Sequence, residues 1–280
     1  MKKNKEKERT RPSRLSEDHA AKLAAHLTDR DRSIAEDCYD HHVLTTDQIK
    51  RLHFKGLRTA TVRLQLLYDL RVLDRFRPRA EHGEGSTPYH WILDEAGAVI
   101  VADQLGIERS KLHYTHHEGL RIATSRNLRH HVEANEFFTR LAVEANQAGG
   151  ALAEWYGVRT LAHLFTGQVI PDGWGVLALP NRPPLHVLLE LDRTTEAPDV
   201  LRAKAKRYSD ALPHSSLREH KPVVILAVPS DRRAQTATAA ISHISAPIAV
   251  AVWNAAATRS VLATVTTAAA EVNGANRPNL

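Results

Sequence analysis

The stretch PDGWGVLALPNRPPLHVLLELDRTTE, residues 171–196, decides the fold. Within it, Leu185-His-Val-Leu-Leu-Glu190-Leu-Asp192 is apolar at nearly every position before its acidic end. A strand buried on both faces of an α/β sheet has that pattern, whereas a half-exposed strand alternates. Gly175–Leu179 reads as its neighbour. Asp172 precedes that neighbour, with 17 residues between it and Glu190. Carboxylates carried by adjacent strands can converge on one cation, and carboxylate, carbonyl and water oxygens are the hard ligands that Mg²⁺ takes. Such an ion lowers the pKa of an attacking water and neutralises charge developing on a phosphodiester. Asp172 and Glu190 are therefore the expected Mg²⁺ ligands and catalytic carboxylates. A nearby lysine can position the water or stabilise the developing charge.

Outward from this core, Ala151–Tyr156, Pro222–Val228 and Ile248–Trp253 read as further strands. Asn127–Asn146, Val158–Leu164, Pro198–Ser209 and Arg232–Ile241 read as helices. Residues 128–256 are thus expected to form an α/β domain around a central mixed sheet. The tail 257–280 is rich in Ala and Thr and ends at Asn273–Leu280 without pattern.

The N-terminal third has a different grammar. Residues 1–18 are charged and poor in apolar side chains, as expected of a flexible basic arm. Thr28 with Asp31, and Thr45 with Gln48, read as helix starts. A third helix from Thr59 to Leu73 follows Gly56, with Val62, Leu66, Leu67, Leu70 and Leu73 as its apolar stripe. Leu73–Arg77 and Tyr89–Leu93 then alternate like strands around the Gly-rich 81–87 turn. Three short helices and a hairpin describe a winged helix-turn-helix over 19–106, with 107–127 as the junction. In that arrangement the third helix enters the major groove of double-stranded DNA. Arg58, Thr59, Thr61, Arg63 and Gln65 are the expected groove contacts. Lys50, Arg51, Arg75, Arg77 and Arg79 are the expected phosphate or minor-groove contacts. Charge agrees: residues 1–79 carry 19 Lys and Arg against 12 Asp and Glu, a net +7 in a chain of net +6.

Asp172 with Glu190 resembles the D…E-x-K core of PD-(D/E)XK restriction-endonuclease-like nucleases. More narrowly, the chain resembles the replication-relaxation family of bacterial plasmids and other mobile elements. That family similarly joins an N-terminal winged helix to an α/β region with "PD" and "E-x-D-R-x-T-E" patterns, here Pro171-Asp172 and Glu190-Leu-Asp192-Arg193-Thr194-Thr195-Glu196. The helix carrying Lys204 and Tyr208, and the His130-His131…Asn135 helix, also resemble it. The resemblance covers about residues 27–255. It implies a DNA-associated role in replication, maintenance or transfer of a mobile element, with replication or transfer proteins as partners. Asp192 stands where the nuclease pattern has lysine. Either Lys204 or Lys206 supplies the ammonium from the next helix, or the domain is a non-enzymatic binding or dimerisation module with Asp192-Arg193 in a structural ion-pair network. A homodimer reading inverted half-sites suits either case.

Other chemistries are excluded by what the chain lacks. There is no G-x-x-x-x-G-K-[ST] loop, no G-x-G-x-x-G after a strand and no G-x-S-x-G elbow. Cys38 is the single cysteine and reads as core. His113, His116, His117, His130 and His131 lack a coherent set of carboxylate partners at helical spacing and read as packing or surface residues. Ala96–Ala102 and Ala246–Trp253 are too short to span a bilayer, and no apolar stretch follows the N-terminal lysines. The expected setting is the cytoplasm, away from membranes.

Overall fold

A computed structural model describes residues 23, 27–78, 87–165, 169–194, 196–256 and 259–275. The expected arm, Arg79 and the tip of the hairpin lie outside the described residues.

The N-terminal unit begins with α1 (Asp29–Asp40), closed by a capping box: Thr28 Oγ1 accepts from Asp31 N, and Asp31 accepts from Thr28 N at 2.8 Å. Strand β1 (Leu44–Thr45) leads into α2 (Thr46–His53), capped in the same way by Thr45 and Gln48. Reciprocal caps satisfy N–H groups that have no partner inside the helix. Helix α3 (Leu57–Asp69) follows the extended Gly56. Strands β2 (Leu73–Phe76) and β3 (His90–Leu93) then pair antiparallel, and β1 adds to the other edge of β3. Helix α4 (Glu95–Gln104), capped by Asp94, closes the unit. Ile34, Cys38, Leu44, Ile49, Leu64, Leu67 and Trp91 share its core.

Two expectations about α3 need correction. It starts at Leu57, and its buried stripe is Ala60, Leu64 and Leu67, while Val62 and Leu66 are 65% and 41% exposed. The helix is apolar on more than one face, so periodicity alone leaves its rotation open. Leu73 is not helical, because Arg71 turns the chain at a φ of 59° and Leu73 enters β2.

Residues 107–127 also depart from a simple junction. Short 3₁₀ turns (Arg109–Leu112 and Ile122–Thr124) flank α5 (His116–Arg121), and the segment packs on the first unit. Tyr114 Oη donates to Leu93 O at 2.5 Å, Tyr39 Oη donates to Leu112 O at 2.9 Å, and His116 lies 2.8 Å from Asp74.

The second unit consists of α6 (Leu128–Gln147), β4 (Ala151–Tyr156), α7 (Val158–Leu164), β5 (Gly173–Ala178), β6 (Leu185–Leu191), α8 (Pro198–Ala211), β7 (Val223–Val228), α9 (Asp231–Ile241), β8 (Ile248–Val252) and α10 (Val261–Ala275). Its sheet runs β4-β5-β6-β7-β8, antiparallel up to β6 and parallel beyond it, so the sheet is mixed and β6 is central. Val187, Leu189 and Leu191 pack with Phe137 and Phe138 of α6 and Val265 of α10. Leu188 packs on the opposite side with Tyr208 of α8. Burying each such side chain contributes about 1.5–3 kcal/mol. Helix α10 lies within the expected tail and packs on the second unit: Val261, Val265, Ala268 and Val272 are buried against the sheet layer. Its Ala- and Thr-rich outer face offers no charged stripe to reveal the period.

The two units pack directly. Asn135 Nδ2 donates to Val43 O at 2.7 Å, Gln48 Nε2 donates to Val132 O at 2.9 Å, and the His41 ring stacks on Trp155 at 3.6 Å. Asp40 accepts from Gly157 N at 2.6 Å and Thr160 N at 2.9 Å, capping α7 from the other unit. Glycine is required at 157, since a Cβ would collide with the Asp40 backbone.

Candidate functional site

The central strand ends in a cluster of charged side chains. Even-numbered Glu190 faces α8, opposite the Val187-Leu189-Leu191 face. Its Oε1 accepts from Tyr208 Oη at 2.7 Å and its Oε2 accepts from Lys204 Nζ at 2.8 Å. Lys204 and Tyr208 are four residues apart, hence on one face of α8. Lys204 also donates to Glu196 Oε1 at 2.9 Å. Burial first, and then the charge of Asp172, push the Glu190 carboxyl up to about 7, against the pull of Lys204 and Tyr208. Burial opposes charge on Lys204, but Glu190 and Glu196 outweigh it and raise the ammonium above its ordinary value. Burial, followed by Glu190, holds the Tyr208 phenol well above its usual range, so it serves as a hydrogen-bond donor.

Asp172 approaches from the turn into β5. Its N donates to Leu189 O at 2.9 Å, and its Oδ2 accepts from Leu191 N at 2.8 Å, so the carboxylate extends the ladder beside β6. His130, in the first turn of α6, places Nε2 at 2.7 Å from Asp172 Oδ1. Burial works against the His130 cation, but the Asp172 bond and charge, then that of Glu190, more than offset it and raise its pKa. Asp192 is buried, accepts from Thr194 N at 2.9 Å and pairs with Arg233 Nε of α9. Arg233 also donates to Glu196 O at 2.6 Å, and Arg193 lies 3.3 Å from Glu133.

Asp172, Glu190 and Lys204 thus meet. Lys206 does not join them: it is exposed and lies 3.4 Å from Asp210. Sequence reasoning assigned no role at this cluster to His130, Glu196 or Arg233. Tyr208 carried a signal, lying one turn beyond Lys204. His130 carried none, because its partner is 42 residues away. Mg²⁺ demands near-octahedral oxygen coordination. Here all four carboxylate oxygens of Asp172 and Glu190 already receive a protein donor, and the Lys204 ammonium supplies the positive charge. As arranged, this donor set does not fit a resident Mg²⁺. Among the described residues, no group of three or more His, Cys, Asp or Glu side chains could hold a metal ion.

The basic N-terminal residues divide into two groups. Arg63 donates to Asp31 through Nε at 2.7 Å and through Nη2, and Arg51 Nη1 donates to Glu136 at 2.6 Å. These two brace the fold. Arg75 lies over Tyr68, Tyr89 and Trp91, with its guanidinium 4.0 Å from the Tyr89 ring centre. Arg58, Thr59 and Thr61 are exposed on the first turns of α3, where Thr59 and Thr61 hydroxyls donate to Gly56 O and Leu57 O. Gln65 donates to Asp69 at 3.0 Å. Lys50 is half-exposed on α2, and Arg77 is exposed over Tyr89 at 3.8 Å.

The sequence model of the replication-relaxation family matches residues 36–223, two thirds of the chain. The chain belongs to the replication-relaxation family. In this replication-relaxation protein the matched span runs from within α1 to the first residue of β7, so it includes α3, His130, Asp172, Glu190 and Lys204. Arg233 and α10 lie beyond it. No curated protein and no solved structure matches the chain. No helix among the described residues is long and apolar enough to cross a membrane.

Proposed function

We propose that this replication-relaxation protein binds double-stranded DNA in the replication, maintenance or transfer of a plasmid or other mobile element, using its N-terminal unit as a winged helix. One observation carries the reading. Helix α2, the turn Phe54-Lys55-Gly56 and helix α3 form a helix-turn-helix whose second helix has no acidic residue in its first turn and leaves Arg58, Thr59 and Thr61 exposed. Arg58 supplies a fork suited to guanine or phosphate, and the threonines supply hydroxyls. Lys50 and Arg77 extend the basic surface toward the DNA backbone. The exposed first turns of α3 serve equally a monomer on one site or a homodimer on an inverted repeat.

A second reading, cleavage of the bound DNA by a Mg²⁺-dependent endonuclease-like domain, is favoured by the meeting of Asp172, Glu190 and Lys204 at one strand end. Against it stands the satisfied donor set of those carboxylates. Both readings are tested by incubating the full chain with supercoiled plasmid carrying its native flanking DNA, with Mg²⁺, Mn²⁺ or EDTA, beside Asp172→Ala. A gel shift without cleavage is the expected result. Metal-dependent nicking lost in Asp172→Ala establishes the second reading, and absence of any shift refutes the first.

A further inference from the structure

A cavity of about 540 Å³ opens where the two units meet, and its wall is dominated by cationic and imidazole groups. Arg121 ends α5, Arg159 stands on α7, and the imidazoles of His42 and His113 and the hydroxyls of Thr124 and Ser125 complete the lining. Arg159 is the informative residue. Its Nε is buried with no hydrogen-bond partner among the described residues. Its guanidinium lies 5.0 Å from the Tyr39 ring centre and 5.1 Å from that of Tyr114. Aromatic faces attract the cation but leave its forked N–H donors unused. Burying the Nε–H without an acceptor is costly, and an anion beside the terminal nitrogens would stabilise the partly buried guanidinium.

The rest of the wall supplies one carboxylate, whose charge Arg159 and Arg121 feel, but no hydrogen-bond acceptor to Arg159 Nε among the described residues. Glu118 is the carboxylate that lines the cavity, and its Oε2 accepts from Thr115 N and Thr115 Oγ1, both at 3.0 Å, in the capping box of α5. His42 is held at a φ of 65°, with its ring 4.9 Å from His131. Burial first, then Arg159, His131 and His41, push the His42 imidazole down to about 3, as expected where positive groups crowd one another.

We propose that this cavity binds a phosphate group, with Arg159 and Arg121 clamping its oxygens and the Ser125 hydroxyl donating to the remainder. Ser125 Oγ accepts from Asn127 N at 3.1 Å, whereas the Thr124 hydroxyl already donates to Arg121 O at 3.3 Å. Guanidinium forks match phosphate geometry, and the volume accommodates a nucleotide. The source is a DNA strand or a free nucleotide. The strand source rests on the DNA-binding function proposed above and deepens it. The rings of His131 and His130, centred 6.4 Å apart, lead from His42 to Asp172. That row sets the direction in which the carboxylate cluster lies from a phosphate held in the cavity.

Calorimetric titration of the full chain with inorganic phosphate, thymidine monophosphate and a 5′-phosphorylated oligo-dT of about six nucleotides tests this. At least one of the three binds, and Arg159→Gln weakens it about tenfold, the loss expected for one charge-assisted hydrogen bond. Arg121→Gln, at an exposed position that does not endanger folding, weakens it several-fold. Binding confined to the oligonucleotide identifies a strand as the source, and binding of phosphate or the mononucleotide identifies a free anion. No binding of any of the three, or unchanged binding in both variants, overturns the proposal. Arg58→Ala separates the two readings: it weakens duplex binding if the function proposed above holds, and it leaves the cavity's ligand unaffected.

Discussion

Replacing Lys204 by methionine removes the cation that stabilises the buried Glu190 carboxylate. Tyr208 remains as a donor at 2.7 Å, but the repulsion between Glu190 and Asp172 is then opposed by His130, which pairs with Asp172 and not with Glu190. Removing one partner of a buried pair costs about 3–5 kcal/mol when the other must stay charged. Lys204 is 17% exposed and Glu190 can take up a proton, so a loss of about 3 kcal/mol at about pH 8.5 is the reasonable scale. The pH dependence gives the sign. Glu190 has a folded pKa of about 7, above its ordinary value, so its protonated form favours folding and stability is lost as pH rises through that folded value. Without Lys204 the folded pKa rises further, and the variant goes on losing stability where the wild-type protein has levelled off. Near pH 5.5 Glu190 is protonated in both folded proteins, and the deficit shrinks to about 1 kcal/mol, the share of lost hydrogen bonds. Urea unfolding at the two pH values measures this, and adding Glu190→Gln to Lys204→Met recovers most of the loss at high pH. A deficit below about 1 kcal/mol at both pH values, or one that does not grow with pH, refutes the ion-paired description of the cluster.

Other consequences are equally direct. Arg63→Met strands the fully buried Asp31 carboxylate and lowers stability by about 3 kcal/mol in urea unfolding, while the protein that remains folded binds duplex DNA as before. Burial alone would raise the Asp31 carboxyl, but its bonds from Arg63 and Thr28 hold it below the ordinary aspartate value. The stability it contributes is therefore present above that value and lost as pH falls through the lower folded one, so the gap to Asp31→Asn narrows in unfolding curves taken at successively lower pH below the ordinary aspartate value. Gly97→Ala drives a Cβ into Val72 O and the Leu93 side chain, lowering the urea midpoint by an amount equivalent to about 2–4 kcal/mol. Truncation after residue 256 uncovers the surface that Val261 and Val265 bury, and is expected to produce binding of an apolar dye and aggregation.

What the sequence discloses and what it hides follow one physical line. Thr28 with Asp31 and Thr45 with Gln48 are legible because a cap is made within three residues, and the 185–192 run is legible because double-sided burial demands continuous apolarity. Helix α10 is hidden because Ala and Thr give no contrast between its faces, although Val261, Val265, Ala268 and Val272 recur at helical spacing. The rotation of α3 is hidden for a related reason, with Val62 and Leu66 as apolar as the buried Leu64 and Leu67. At the candidate site, the convergence of Asp172 with Glu190 follows from adjacent strands, and Lys204 follows from the crossover helix that joins parallel strands β6 and β7. The partners that decide the chemistry come from farther away. His130 reaches Asp172 from α6, and Arg233 reaches Asp192 from α9, both set by how helices pack around the strand end. The same holds for the ion pairs of Arg63 with Asp31 and of Arg51 with Glu136, whose partners lie far off in the sequence.

The central claim, that duplex DNA is gripped through the exposed first turns of α3, is tested most directly by fluorescence anisotropy. The titrations use the native flanking duplex over a series of salt concentrations, with the wild-type protein and Arg58→Ala. The account predicts that Arg58→Ala weakens binding about tenfold or more and, where Arg58 neutralises a phosphate, lowers the slope of log affinity against log salt by about one. Identical affinity and slope for the two proteins would contradict it.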